Sequence, residues 1–426
     1  MAVIRPFKAW RYNDELTQNI GDQLSPPFDV VSPKQRASLY QNPLNSIHLS
    51  VPSGNHPAQQ AAETLEKWKR EGTIRQDEIP GIYVYYQYFR LPGDPNEYCR
   101  KGFICMIEAS FWEENVVLRH EDTIPSSVND RIQLLEATQL NASPTHGLYT
   151  DPEHHLETLM DLSMENVLYE AEDFQGVRDV LSVIRKEDKI QHFLSLLAEK
   201  QIILADGHHR YESSLVYRRK MMQNNPHHHG KEGYNFHLMY LTNTESEDIK
   251  VLPTHRLVKN THAIDTDTLL KKSAQYFELK PQENNCDIPE VIAGKSWTFG
   301  LLLRDSCYKL KLKPEVHQEL NLPISEALKK LDIVVLHYFF LERVLGIVWQ
   351  EQRSSEQIAY ERSFASCLYQ VTTTHEAQMA IITNGVSINQ IKEICYGGHL
   401  LPQKSTYFYP KVICGFLFGS IHENEF

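Results

Sequence analysis

Residues 202–210 read Ile-Ile-Leu-Ala-Asp-Gly-His-His-Arg, and this stretch is the most informative about the fold. Its first four residues form a short apolar run, which is typical of a buried strand. The run stops at Asp206 and Gly207, and apolar residues at helical spacing resume over 211–222. The stretch therefore predicts a strand, a tight polar turn and a helix in direct succession.

The flanking segments extend this pattern of strands and helices. Apolar residues at helical spacing predict a helix over 188–199, and two apolar runs predict strands at 236–241 and 251–257. Nearer the N-terminus, 81–90 is dense in aromatic and β-branched residues, and 102–107 follows a Pro-Gly turn as its hairpin partner. The N-terminal half is thus predicted to contain antiparallel sheet.

The chain of 426 residues is longer than one ordinary domain. The sequence pattern changes near residue 260, and beyond that point it predicts alternating helices and strands. We expect two domains, 1–260 and 261–426. The expected fold class is α/β or α+β, with a mixed-sheet core that carries an N-terminal elaboration and a C-terminal α/β module that contributes to the site.

Composition excludes several classes of protein. Apolar residues make up 41% and charged residues 23% of the chain, as in ordinary globular proteins. The formal net charge of -12 makes nucleic acid an unlikely partner, because binding to phosphate backbones needs a basic surface. No apolar window approaches the length of a membrane span, and the start has no signal-peptide pattern, so we expect a cytoplasmic protein.

The polar residues Asp206, Gly207, His208, His209 and Arg210 have the ingredients of an anion site. A glycine turn after a strand presents backbone N–H groups at a helix N-terminus, and arginine adds a fork of donors. Phosphate is the ligand that suits this set best. The alternative interpretation is that Asp206 only caps the helix and that the histidines are hydrogen-bonded polar neighbours.

Asp206 is also a candidate magnesium ligand, since Mg²⁺ usually takes one or two protein carboxylates together with phosphate oxygens and water. Upstream, residues 120–123 read His-Glu-Asp-Thr and place Glu121 beside an imidazole, as a general base requires. The alternative is a solvent-facing turn. Asp130 and Arg131 are interpreted either as an internal ion pair or as a substrate clamp.

Two distant segments contain further candidates. Residues 25–33 include three prolines, which predict an ordered irregular loop, and this loop carries Asp29 as a possible catalytic acid. Near the C-terminus, the hydroxyls and cations that suit a nucleotide are Lys404, Ser405, Thr406 and Lys411. Although a twisted edge strand would explain the aromatic residues at 407–409, we expect the C-terminal group to lie close to Asp206, because such side chains stabilise phosphoryl oxygens only when preorganised.

With these motifs in view, the chain resembles a bacterial family of unknown function (DUF1015) that is commonly labelled as related to SpoOJ, ParA, ParB and RepB proteins. The resemblance covers nearly the whole chain. It rests on PPFDVV at 26–31, HEDT at 120–123, DR at 130–131, SP at 143–144, ADGHHRYE at 205–212, LPTHRL at 252–257, LD at 331–332 and PQKSTYFYPK at 402–411.

The Asp-Gly-His-His-Arg string also resembles the nucleotide-phosphate motif of the ParB and sulfiredoxin superfamily, and most closely that of archaeal free-serine kinases. This resemblance implies that the backbone amides of the loop at Gly207, together with His208 and Arg210, hold phosphates, with His209 as a further catalytic candidate. It also implies an upstream glutamate as base. Glu121 lies further upstream than in those kinases, whereas Glu170 and Glu172 lie nearer.

The implied activity is a nucleotide-dependent phosphotransferase that uses ATP or ADP with Mg²⁺ on a small hydroxylated metabolite such as free serine. The alternative is a nucleotide-binding regulator of the ParB type that acts on DNA without metabolic turnover. The acidic net charge and the lack of a clear helix-turn-helix pattern count against the regulator.

Overall fold

The computed structural model describes residues 1–121, 125–259, 265–352 and 355–426. These residues form two compact units, of which the first comprises 1–250 and 410–426 and the second comprises 251–409. The first boundary lies close to the predicted division at residue 260. The segment 410–426 differs from the prediction, because it returns to the first unit rather than belonging to a C-terminal domain.

Nine strands of the described residues in the first unit form one mixed sheet. The path through it is β6-β11-β8-β12-β5-β4-β10-β9, and β1 pairs with β5. The strands of this unit are β1 (Ile4–Arg5), β2 (Trp10–Tyr12), β3 (Ile74–Gln76), β4 (Ile82–Arg90), β5 (Glu97–Glu108), β6 (Val117–Arg119), β7 (Leu140–Asn141), β8 (Thr145–Tyr149), β9 (Val167–Glu172), β10 (Arg178–Ile184), β11 (Ile202–Asp206) and β12 (Phe236–Asn243), with Gly419–Ser420 pairing with β7.

Alternation along the strands builds a core on each face of this sheet. Tyr83 and Tyr85 of β4 belong to one buried cluster, whereas Val84 and Tyr86 belong to the other. This is the period of two that a strand imposes on its side chains. The predicted hairpin of β4 and β5 is confirmed as an antiparallel pair.

The helices of the first unit include the two that were predicted around the polar turn. The helix predicted over 211–222 begins three residues earlier, at His208. The irregular loop at 25–33 is confirmed, and a helix starts only at its last proline. The helices are α1 (Asp14–Thr17), α2 (Pro33–Leu39), α3 (Ile47–Ser50), α4 (Pro57–Glu71), α5 (Pro125–Thr138), α6 (Glu157–Ser163), α7 (Glu187–Leu197) and α8 (His208–Asn224), with 3₁₀ turns at Ile20–Gln23, Trp112–Glu114 and Gly233–Asn235.

The second unit contains a six-stranded sheet in the order β15-β17-β16-β19-β14-β18, and each pairing in it is antiparallel. This module is therefore α+β. The strands near and within this unit are β13 (Lys250–Leu252), β14 (His255–Val258), β15 (Phe277–Gln282), β16 (Thr298–Leu302), β17 (Cys307–Leu312), β18 (Ile358–Glu361), β19 (Met379–Ile382) and β20 (Tyr407–Tyr409). The single strand predicted at 251–257 is two strands, because Pro253 has no N–H to donate to a ladder.

The helices of the second unit pack around its own sheet. They are α9 (Thr266–Tyr276), α10 (Ile288–Ile292), α11 (Glu326–Lys329), α12 (Asp332–Val335), α13 (Phe364–Thr372) and α14 (Ile388–Tyr396), with a π-helix at Leu336–Val344 and 3₁₀ turns at Asn285–Asp287 and Pro314–Glu319. Together the two sheets and their helices confirm the mixed α+β class. In the part of the chain that the structure describes, no helix is long and apolar enough to cross a bilayer.

Candidate functional site

The turn between β11 and α8 depends on Gly207. Its φ of 88° lies in the left-handed region, and a Cβ atom there would stand 2.6 Å from Cγ2 of Thr145. Glycine is therefore required twice, for conformation and for space. α8 begins at His208 without a side-chain cap, so Asp206 does not cap the helix and the capping interpretation is not supported. The N–H groups of the first turn of α8 point out of the helix N-terminus, where the helix dipole favours a negative charge.

Asp206 lies between two cations. The ammonium of Lys411 donates to its Oδ1, and Nη2 of Arg210 lies 3.3 Å from its Oδ2. All three side chains are largely buried. Burial favours the protonated acid, but the charges of Lys411 and Arg210 outweigh it and hold the pKa of Asp206 well below its usual range. The side chains of Asp206, Arg210 and Lys411 together carry a net positive charge at the start of α8, because one carboxylate faces two cations.

Arg210 is also held from its other side. Its Nη1 donates to Oγ of Ser143 at 2.9 Å and to the carbonyl of Pro144 at 2.8 Å. Together with the Asp206 contact, these bonds fix the plane of the guanidinium. The arginine is therefore preorganised, which is what an anion-binding fork requires.

Three buried polar residues of the central sheet hold the backbone that carries Lys411. Arg100 donates to the carbonyl of Pro410 at 2.5 Å, and Nε2 of Gln87 donates to the carbonyl of Lys411 at 3.1 Å. Nε2 of Gln87 also donates to Oδ1 of Asp179 at 2.9 Å. Sequence reasoning missed these residues, and the only signal was a polar residue inside the aromatic strand 81–90.

His208 is buried at the first position of α8. Its ring packs edge-on against His120 at a centroid distance of 4.5 Å, and its Nδ1 lies 3.8 Å from Oε1 of Glu121. Burial, reinforced by His120, lowers the pKa of His208 well below its usual value. The imidazole is therefore neutral near pH 7 and can donate one hydrogen bond to an anion.

Sheet topology brings Glu121 to the polar turn. β6 pairs with β11 in parallel, with Arg119 opposite Leu204, so the residues after both strands emerge at the same edge. Glu170 and Glu172 lie on β9, at the other end of the sheet path. Of the three glutamates weighed from sequence, Glu121 is thus the one beside the motif. Its neighbours in that string, at positions 122 and 123, lie outside the described residues.

The ring of Phe28, in the proline loop at 25–33, contacts residues of α8 and α5. The ring of Phe28 packs edge-on against His209 at 6.5 Å, and the guanidinium of Arg131 lies 4.7 Å from its centroid. Arg131 forms an ion pair with Asp130, in which its Nε donates at 2.8 Å, and the substrate-clamp interpretation stays a prediction. Asp29 follows Phe28 and is exposed to solvent.

The residues predicted near the C-terminus fall into different units. Lys411 belongs to the first unit and contacts Asp206, as predicted. Lys404, Ser405 and Thr406 belong to the second unit, where Lys404 is exposed and its carbonyl accepts from Nη2 of Arg256 at 3.3 Å. Residues 407–409 form a strand, as the edge-strand interpretation required. A nucleotide role for 404–406 stays a prediction.

A magnesium ion on Asp206 fits this geometry poorly. Each of its oxygens already faces a cation, and a divalent ion would have to displace them. The described residues also hold no cluster of three or more His, Cys, Asp or Glu side chains that could bind a metal. The two cations that contact Asp206 suit an anionic ligand better than a cation at this turn.

The fold is mixed α+β, and the turn between β11 and α8 is a candidate anion site in which Asp206 holds Lys411 and Arg210. Its sequence matches the family described as "Protein of unknown function (DUF1015)" over residues 4–334. The chain belongs to this family. The match ends before the segment 410–426 that supplies Lys411. No curated protein sequence matches the chain.

Several solved structures resemble it at low similarity. A conserved hypothetical protein from Pyrococcus furiosus has a TM-score of 0.37 and 12% identity, and the alignment covers 76% of this chain and 97% of that one. A free serine kinase in complex with AMP has a TM-score of 0.38 and 11% identity, with 76% and 93% covered. SbnI from Staphylococcus aureus, truncated at its C-terminus, has a TM-score of 0.35 and 10% identity, with 74% and 87% covered. At these scores no activity is transferred to this chain.

Proposed function

We propose that the protein is a nucleotide-dependent phosphotransferase that acts on a small hydroxylated metabolite, with free serine as the first substrate to test. One observation carries the proposal: Lys411 and Arg210 are anchored on Asp206 beside the open N-terminus of α8. Phosphoryl transfer asks a protein mainly for positioning and charge stabilisation, and preorganised cations at a helix N-terminus supply both.

The phosphates of ATP or ADP would accept hydrogen bonds from the backbone at Gly207 and His208. Arg210 and Lys411 would neutralise the charge that spreads over the transferred group. The neutral imidazole of His208 would donate one further bond. Because each of these donors is held by other contacts of the first unit, little reorganisation is needed when the transition state forms.

Glu121 is the proposed general base. It would take the proton of the substrate hydroxyl while that oxygen forms a bond to phosphorus and the bond from phosphorus to the nucleotide oxygen breaks. Asp29 and His209 are the further candidates for proton transfer. Asp29 follows Phe28 in the sequence, and the ring of His209 packs against that of Phe28. We assign no metal ion to Asp206 and route no step through one.

The direct test is incubation with ATP or ADP, Mg²⁺ and a pool of hydroxylated metabolites, followed by mass analysis of the products. We expect a phosphorylated product that forms with stoichiometric nucleotide consumption. The Arg219→Ala variant, altered at an exposed arginine of α8, should keep this activity. A folded protein that neither binds nucleotide nor phosphorylates any member of the pool would contradict the proposal. Salt-sensitive retention on DNA would instead support the regulator.

A further inference from the structure

A small cavity lies in the first unit behind Arg210. Its lining includes Phe28 from the proline loop, Arg131 and Leu134 from α5, Asn141 from β7 and Arg210 from α8. The cavity volume is about 40 Å³. One water-sized group needs roughly 10–15 Å³, so the space holds about three non-hydrogen atoms. A carboxylate group fits this space.

Two residues of this lining each carry a buried donor that has no acceptor among the described residues. Nδ2 of Asn141 and Nε of Arg210 are buried and have no hydrogen-bond partner among the residues that the structure describes. Asn141 is 7% exposed, and the side chain of Arg210 is 10% exposed. Because buried N–H groups are nearly always satisfied, two such donors on one cavity indicate a ligand that carries acceptor atoms.

The charged and apolar side chains that line the cavity indicate the chemical class of its ligand. Arg131 and Arg210 bring two guanidinium groups to the cavity, while Leu134 contributes an apolar wall. Asp130, the partner of Arg131, is half-exposed and does not belong to the lining. A planar group of three atoms that only accepts hydrogen bonds and carries negative charge matches this set, and that group is a carboxylate.

We propose that this cavity binds the carboxylate of the small hydroxylated substrate, so that the substrate class is hydroxy or hydroxyamino acids. The inference rests on the proposed phosphotransferase function. Arg210 connects the two parts, because it lines the cavity while its Nη2 contacts Asp206. A substrate held by its carboxylate there would present a nearby hydroxyl to the phosphate site.

Matched pairs of small molecules test the carboxylate. L-serine and ethanolamine differ by that group, as do glycolate and ethylene glycol. Calorimetric titration of the full chain, with and without ADP, should show binding of at least one acid and at least tenfold weaker binding of its partner. Asn141→Asp, which places a negative charge in the cavity with little change of shape, should weaken the acid at least tenfold. Asn166→Asp, at an exposed position, should leave it unchanged.

Three results would overturn the inference: binding of neither acid under either condition, equal binding of both members of a pair, or unchanged acid affinity in a folded Asn141→Asp variant. These results are separable from failure of the proposed function. If an acid binds as expected but no phosphorylated product forms, the cavity assignment stands and the phosphotransferase does not. If only a substrate without a carboxylate is phosphorylated, the reverse holds.

Discussion

The ammonium of Lys411 donates a hydrogen bond to the carboxylate of Asp206, although 205 positions of sequence separate the two residues. The contact ties the returning C-terminal segment to the turn that starts α8. The family match ends at residue 334, so the segment that completes this ion pair lies outside the matched region. The candidate anion site of this chain therefore combines residues from both segments of the first unit, 1–250 and 410–426.

The Lys411–Asp206 pair should be energetically coupled. Lys411→Met is expected to lower the free energy of unfolding by about 1.5–3 kcal/mol, the scale of a hydrogen bond between charged groups. In an Asp206→Asn background the same change should cost less, because an amide needs no counter-charge. Urea unfolding of the four proteins gives the coupling energy directly, and additive effects of the two changes would contradict the pairing.

Arg210 should contribute to nucleotide binding. Arg210→Ala is expected to weaken the affinity for ATP or ADP by about 1.5–3 kcal/mol, since hydrogen bonds to a charged group are lost. Arg219→Ala removes an exposed arginine of the same helix and serves as the control. Calorimetry on both folded variants checks this, and equal affinities would remove Arg210 from the phosphate site.

Variants of Glu121 and Glu170 test which of these two glutamates acts as the general base. Glu121→Gln should reduce the turnover rate at least a hundredfold with little change in nucleotide affinity, because loss of a general base typically costs about 10²–10⁴-fold. Glu170→Gln lies at the far edge of the sheet, beside Arg178, and should turn over normally. Loss of turnover in Glu170→Gln, with activity kept in Glu121→Gln, would reverse the assignment.

Asp179 should make stability fall as the pH rises. Burial, opposed in part by a hydrogen bond from Tyr85, raises the pKa of Asp179 to about 8, whereas an unfolded aspartate has a pKa of about 3.9. Between these values the folded state keeps a proton that the unfolded state releases. Stability from this group is therefore fully present below about pH 4 and is lost as the pH rises toward 8.

Asp179→Asn removes this titration while keeping the shape of the side chain. The free energy of unfolding of the variant should decline less between pH 5 and pH 8 than that of the unchanged protein, with both measured by urea denaturation. Parallel curves for the two proteins would show that Asp179 does not hold its proton in the folded state.

Local features of the fold were predictable because their causes are local. The strand at 202–206, the turn at Gly207 and the following helix depend on apolar periodicity and on a residue that tolerates positive φ. The hairpin at 82–108 followed from strand propensity and a proline-glycine turn. The irregular proline loop was predictable for the same kind of reason, since proline restricts its own neighbour.

Residues of the site were predictable by type but not by partner. The sequence by itself determined that Asp206, Arg210, Glu121 and Lys411 were candidates for phosphate chemistry. Only the tertiary structure decided that Lys411 faces Asp206. It also decided that Glu121 lies beside the turn. The physical reason is that both contacts follow from strand order and register in the sheet, which depend on the packing of two whole faces and leave no periodic signal near either residue.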